Sequence, residues 1–164
     1  MLAYVARMLP VAVRSSRRRD GALVSRLNRR VRLGDVDING HMNQAAYALV
    51  MEEGRMDLVL RSGLFAHFRA EGLRPVVGEQ RLVYRRELKP LQRFEMDTRL
   101  VRIDGRLVVF ESHLLVGERV HTLCEAKLLV LGEDGVLSPE ATREACARWI
   151  TDPLPVQNWH VSPA

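Results

Sequence analysis

The 164-residue chain has only two cysteines, Cys124 in an apolar run and Cys146 in a predicted helix, with no spacing that suggests a zinc cluster or a redox pair. Small buried thiols in a reducing compartment fit that usage, and the expected location is cytoplasmic. Nowhere do about 18 apolar residues run uninterrupted, so the sequence offers no membrane-spanning helix. Internal repeats and low-complexity stretches are also missing, which argues against solenoids and disordered proteins. Aromatic residues make up only 5%, and they are not interleaved with basic side chains as in binders of single-stranded nucleic acid.

What the chain does have is apolar content. Its 47% of hydrophobic residues suffices for one substantial core but not two. The expected organisation is an Arg-rich N-terminal lead-in over residues 1–26 and a single domain over residues 27–164 that closes with a short helix and a tail. The formal charge is +5 and the pI about 9.9, yet Arg14, Arg17, Arg18, Arg19, Arg26, Arg29 and Arg30 all lie in the first thirty residues. The remainder is close to charge-balanced, so no nucleic-acid partner is expected. The opening "MLAYVARMLPVAVRSSRRR" is an apolar patch broken by Arg7 and Pro10 with its charges behind it, the reverse of signal-peptide order. Two placements stay open for it: on an anionic membrane surface, or packed on the domain.

"NRRVRL" (28–33) alternates like a strand with one wet face. Asn43 is placed to cap a helix that starts near Gln44 and ends where Gly63 supplies a stop. Tyr47, Val50, Met51, Gly54 and Leu58 recur at helical spacing on one side, and Ala46, Leu49, Val59 and Leu60 widen the apolar surface, so this helix should be largely buried. After Pro75 the pattern changes to four strands in succession. Asp104-Gly105 and Gly117-Glu118 fit tight hairpin turns, and a short amphipathic helix follows Pro139. One long helix must cover the apolar face of one antiparallel sheet. That leaves sheet surface or edge uncovered, so a homodimer or homotetramer is expected.

Between the first strand and the long helix lies "DVDINGHMNQAAY" (35–47), with two carboxylates, a Gly-His pair and an Asn in one turn-rich stretch. Asp37 precedes a helix N-terminus, whose free N–H groups and positive partial charge suit a developing oxyanion. Asp35 and Asp37 both also read as turn residues bonding loop amides. Gly40 suits the turn, His41 either orients a substrate or braces the loop, and Tyr47 faces the sheet. Glu52 and Glu53 on the helix pair with Arg55 or a neighbouring strand. His113 and His121 lack an acidic or cysteine companion at ligand spacing, so no metal is expected.

"DVDINGHMNQAAYALVMEEGR" resembles the D-x-D-x-x-G-H-x-N-x-x-x-Y segment and helical E-E-x-R of hotdog-fold acyl-CoA thioesterases of the 4-hydroxybenzoyl-CoA thioesterase type. More narrowly, "HMNQAAY", "LVLRSGL", "RRELKPLQRFEMDTRL" and "QNWH" resemble the thioesterase superfamily member six-like branch. The similarity runs from about Arg30 to His160. It implies an α+β hotdog fold, an antiparallel sheet wrapped around one long central helix, and hydrolysis of an acyl-CoA or acyl carrier protein thioester with neither metal nor other cofactor. By that resemblance Asp37 attacks the carbonyl or activates water, and the Gln44 amide is the oxyanion donor. His41 and Asn43 orient the site, while Gly40 and Tyr47 lie close to the acyl thioester. Arg85, Arg86 and Lys89 are candidates for the CoA phosphates. A hotdog hydratase or dehydratase is the enzymatic alternative, but "DINGH" lacks the proline of the hydratase D-x-N-P-x-H pattern and sets His41 one residue too close. A non-catalytic acyl-thioester or lipid-associated adaptor is the other alternative. Another subclass of hotdog thioesterases carries its catalytic Glu on the central helix, which makes Glu52 and Glu53 rival carboxylates, although Asp37 in the expected loop argues against them.

Overall fold

The computed structural model describes residues 2–155, 159 and 160; Gln157 and Asn158 of the "QNWH" segment lie outside the described residues. The N-terminal lead-in is not irregular. It forms helix α1 (Leu2–Arg18), and the first strand, β1 (Val24–Arg30), starts four residues earlier than the alternation at 28–33 indicates. The difference has a physical reason: Leu27 is buried against the core whereas Leu33 is exposed in a one-turn helix that leads into the Asp35 loop. The central helix α2 (Gln44–Arg61) and the short α3 (Leu64–Ala70) follow. Between them Gly63 takes φ of 83°, the left-handed conformation that glycine adopts without penalty.

The strands β2 (Arg74–Tyr84), β3 (Arg93–Asp104), β4 (Leu107–Val116) and β5 (Arg119–Gly132) come next, then a two-residue β6 (Gly135–Val136) and helix α4 (Pro139–Cys146). They form one antiparallel sheet in the order β1-β3-β4-β5-β2, with β6 on β5. β2 therefore pairs with β5 rather than with its successor, and becomes an edge. Asp104 pairs with Leu107, so the first hairpin loop is Gly105-Arg106, one residue later than the Asp104-Gly105 dipeptide suggests, while Gly117-Glu118 is the second as expected. The sheet curls around α2 to give the α+β hotdog fold.

Tyr47, Val50, Met51 and Leu58 are buried against the concave face, as their spacing requires. At Gly54 the helix approaches β3 so closely that a Cβ would lie 2.3 Å from Thr98 Oγ1 and 2.9 Å from Met96 Cε. The opposite side of α2 is covered by α1, which buries Met8, Val11, Arg7 and Ser15. The segment after α4 crosses the outer face of the sheet: the Thr151 amide donates to the Leu100 carbonyl at 2.9 Å, and that of Leu154 to Glu111 Oε2 at 3.3 Å. No helix among the described residues is long and apolar enough to cross a membrane.

Because the close approach at Gly54 involves a core side chain and the buried Thr98–Ser112 hydroxyl pair, Gly54→Ala is expected to destabilise the fold by about 1–3 kcal/mol, read as a lower denaturant midpoint. An unchanged midpoint would mean that the helix is not seated on β3 as described.

Candidate active site

The loop between β1 and α2 is held from both ends. Val36 and Met42 form an isolated antiparallel bridge. Within it the Asp37 amide donates to the His41 carbonyl at 3.0 Å and the Gly40 amide to the Asp37 carbonyl at 3.1 Å. Gly40 sits at φ of 76°, so its sequence role as a turn residue is what the backbone requires. From the far side, the Met42 amide donates to the Leu88 carbonyl at 2.8 Å, and the Leu88 amide to the Tyr47 hydroxyl at 3.1 Å. The loop, α2 and the segment after β2 are thus one hydrogen-bonded unit.

The two aspartates separate in this geometry. Asp35 is turned inward and is 9% exposed; Arg7 Nη1 lies 2.7 Å from its Oδ1. Its main-chain carbonyl accepts from both the Asn43 amide (2.8 Å) and Asn43 Nδ2 (2.9 Å). Asp37 is half-buried: Oδ1 accepts from the Asn39 amide at 2.9 Å, and Oδ2 lies 3.6 Å from His41 Nδ1. Asn43 Oδ1 accepts from the Ala46 amide at 2.9 Å, which makes it the N-cap of α2. Among the described residues the Gln44 amide has no acceptor, as expected for a first-turn N–H.

A cavity of about 460 Å³ opens at this corner, lined by Asp37, His41, Met42, Gln44, Tyr47, Tyr84, Arg85, Arg86 and Glu87. The predicted residues Asp37, His41, Gln44, Tyr47, Arg85 and Arg86 therefore share one space. Gly40 and Asn43 act on its frame and do not line it. Lys89 does not line it either: it is exposed, and its amide donates to Gln92 Oε1. Tyr47 is also a core residue, 4% exposed, with its ring 5.0 Å edge-on from Tyr84. Burial pushes the hydroxyls of both tyrosines up, so they stay protonated at neutral pH. A second cavity of about 620 Å³ shares Arg86 and Glu87 and adds Gln92, Val116, Arg119 and His121.

Sequence reading missed Tyr84, Glu87 and Arg119. Tyr84 ends β2 and Glu87 follows it, while Arg119 opens β5 and lines the second cavity; the pairing of Tyr84 with Thr122 sets these two strand ends side by side. Of the rival carboxylates, Glu53 is buried between Arg7 Nε (2.6 Å) and Arg29 Nε (2.5 Å), and Glu52 accepts from the Tyr4 hydroxyl. Neither lines the cavity. His121 Nδ1 lies 3.1 Å from the Glu87 carbonyl. His113 is buried in β4, where desolvation first and the charges of Arg85 and Arg99 next lower its pKa to about 4, leaving it neutral.

Residues 31–148 match the thioesterase-like superfamily. Protein THEM6 of zebrafish (Danio rerio) is 35% identical over 115 residues, which is 68% of this chain and 57% of that protein. The chain thus spans just over half the length of that relative. Among solved structures, the YbaW probable thioesterase of Escherichia coli superposes with a TM-score of 0.71 at 20% identity, covering 77% of this chain and 99% of the other. A DHNA-CoA thioesterase of Staphylococcus aureus gives 0.62 at 17% identity over 76% and 89%. At those identities the two structures speak for the fold.

Asn43 uses its oxygen as a helix cap and its nitrogen as a loop brace. Asn43→Ala is therefore expected to cost about 1 kcal/mol in equilibrium unfolding, while Asn43→Asp, which keeps the capping oxygen, should lose less. Equal losses in the two variants would contradict the division of roles.

Proposed function

Because the chain belongs to the thioesterase-like superfamily, we propose that it is an acyl-CoA thioesterase that hydrolyses a thioester at the Asp37 loop. The observation that carries this reading is the meeting, in one cavity, of a half-buried carboxylate that no Arg or Lys pairs with among the described residues and the first residue of a long helix. The thioester carbonyl lies at the N-terminus of α2, where the Gln44 N–H and the positive end of the helix stabilise the oxyanion. Asp37 attacks the carbonyl carbon, or takes the proton of a water that does. The C–S bond then breaks, releasing CoA thiolate and, after water has been consumed, the free acid. Arg85 and Arg86 at the cavity wall favour a phosphate-bearing leaving group. His41, 3.6 Å from Asp37, orients the carboxylate. Acyl-CoA is preferred over a carrier-protein thioester because those two arginines line a cavity of small-molecule size, and the reaction is placed in the cytoplasm.

Self-association belongs to the same reading. β2 is an edge strand with Val76 and Val77 exposed. A second copy pairing along the β2 edge covers Val76 and Val77. Sedimentation at micromolar concentration is expected to give a dimer or tetramer, and a monomer would remove this part of the proposal.

The catalytic reading is tested by thiol release from short, medium, long and aryl acyl-CoAs with the wild type and Asp37→Asn. The variant keeps size and hydrogen bonding but cannot attack or accept a proton, so turnover should fall about a hundredfold or more, near 3 kcal/mol of barrier. Equal rates, or no thiol from any substrate, would sink it.

A further inference from the structure

Helix α1 precedes the family-matched region, yet it reaches the candidate site. Its inner face holds two apolar residues, Met8 and Val11, and two buried polar ones, Arg7 and Ser15. Ser15 Oγ donates to Asp57 Oδ1 at 2.6 Å, far along α2 from the loop. Arg7 acts at the other end. Its guanidinium is 7% exposed and bridges two carboxylates, with Nη1 2.7 Å from Asp35 Oδ1 and Nε 2.6 Å from Glu53 Oε1. Glu53 has a second cation in Arg29, whereas Asp35 has Arg7 as its one salt-bridge partner among the described residues.

We propose that α1 is a clamp on the active-site loop and that Arg7 is a positioning residue for the hydrolysis reaction. The connection is short. Arg7 fixes the Asp35 carboxylate; the Asp35 carbonyl receives both hydrogen bonds from Asn43; Asn43 caps α2 directly before Gln44, and Asp37 stands two residues beyond Asp35. A planar guanidinium holding two carboxylates at fixed angles sets the junction of loop and helix in a way that a single-point cation does not. A buried ion pair is seldom more stabilising than apolar packing would be, although losing one partner strands the other charge, so beyond compensating the buried carboxylates this pair fixes geometry. An aligned site loses rate steeply when a reacting group shifts by about 1 Å.

The inference rests on the hydrolase reading, and its test separates the two. In the full chain, Arg7→Gln and Asp35→Asn break the same contact from its two sides, Arg7→Lys keeps the charge without the fork, and Ser15→Ala loosens α1 at its far end. Arg7→Gln and Asp35→Asn should each lower kcat about tenfold or more with KM within about twofold. Arg7→Lys should recover part of that loss, and Ser15→Ala should leave kcat unchanged. Amide hydrogen exchange supplies a readout independent of turnover: the Asn39, Gly40, Met42 and Asn43 amides should exchange faster in Arg7→Gln and Asp35→Asn, while those of β3 and β4 stay protected. Where Arg7→Gln does not fold, Asp35→Asn decides, since it leaves the Arg7–Glu53 pair in place. Unchanged kcat in folded Arg7→Gln or Asp35→Asn, an equal drop in Ser15→Ala, or unaltered loop exchange would overturn the clamp. If the wild type releases no thiol, the hydrolase reading falls, and loop exchange alone decides whether Arg7 holds the loop.

Discussion

The structure depends on burying α2 on both of its sides, although those sides differ in chemistry. One is apolar and closes against the sheet, with Gly54 allowing near contact with β3. The other carries Glu53 and Asp57, which are 1% and 3% exposed. Carboxylates removed from water in this way need cations or hydroxyl donors at hydrogen-bonding distance. They receive them from α1, β1 and α2 itself: Arg7 and Arg29 on Glu53, and Ser15, Ser25 and Arg61 on Asp57. The N-terminal helix is therefore not an appendage. It supplies counter-charges that the central helix requires, and Arg61 is in turn held by Asp20 in the link that follows α1.

The candidate site follows from the same constraint. A helix enclosed along its length offers its free N–H groups only at its N-terminus, and that end of α2 is where the loop from β1 and the segment after β2 converge. The loop carries two aspartates in different electrostatic settings. Asp35 is neutralised by a guanidinium and serves the frame. Asp37 faces a cavity beside the His41 imidazole and the helix end. A motif that looks symmetric in sequence is divided in space into a structural and a chemically available carboxylate.

Much of this was legible in the sequence where periodicity speaks. The span of α2, its Asn43 cap and Gly63 stop, the long strands β3 to β5 and the helix after Pro139 follow from apolar spacing and turn residues. The Asp37 loop was legible from its residue types and from its resemblance to a thioesterase segment. What was hidden depends on long-range contacts. Arg7 and Pro10 read as breaks in an apolar patch, whereas Pro10 lies within α1 and Arg7 points at buried carboxylates. Charge alone would assign Arg55, Asp57 and Arg61 to water, yet these three and Glu53 are buried. Tyr84 and Glu87 reach the site, and Arg119 the neighbouring cavity, where the end of β2 lies beside the start of β5, a pairing that local pattern does not encode.

In the proposed reaction the thioester carbonyl comes to rest at the N-terminus of α2. The most direct measurement is a crystal structure of the protein with a non-hydrolysable acyl-CoA analogue in which a methylene replaces the sulfur. The carbonyl oxygen is expected at about 2.7–3.1 Å from the Gln44 amide nitrogen, with the carbonyl carbon facing the Asp37 carboxylate and the phosphates toward Arg85 and Arg86. An analogue bound with its carbonyl away from the α2 N-terminus, for instance in the apolar cavity formed by Val59, Phe65, Phe68 and Phe110, would contradict it.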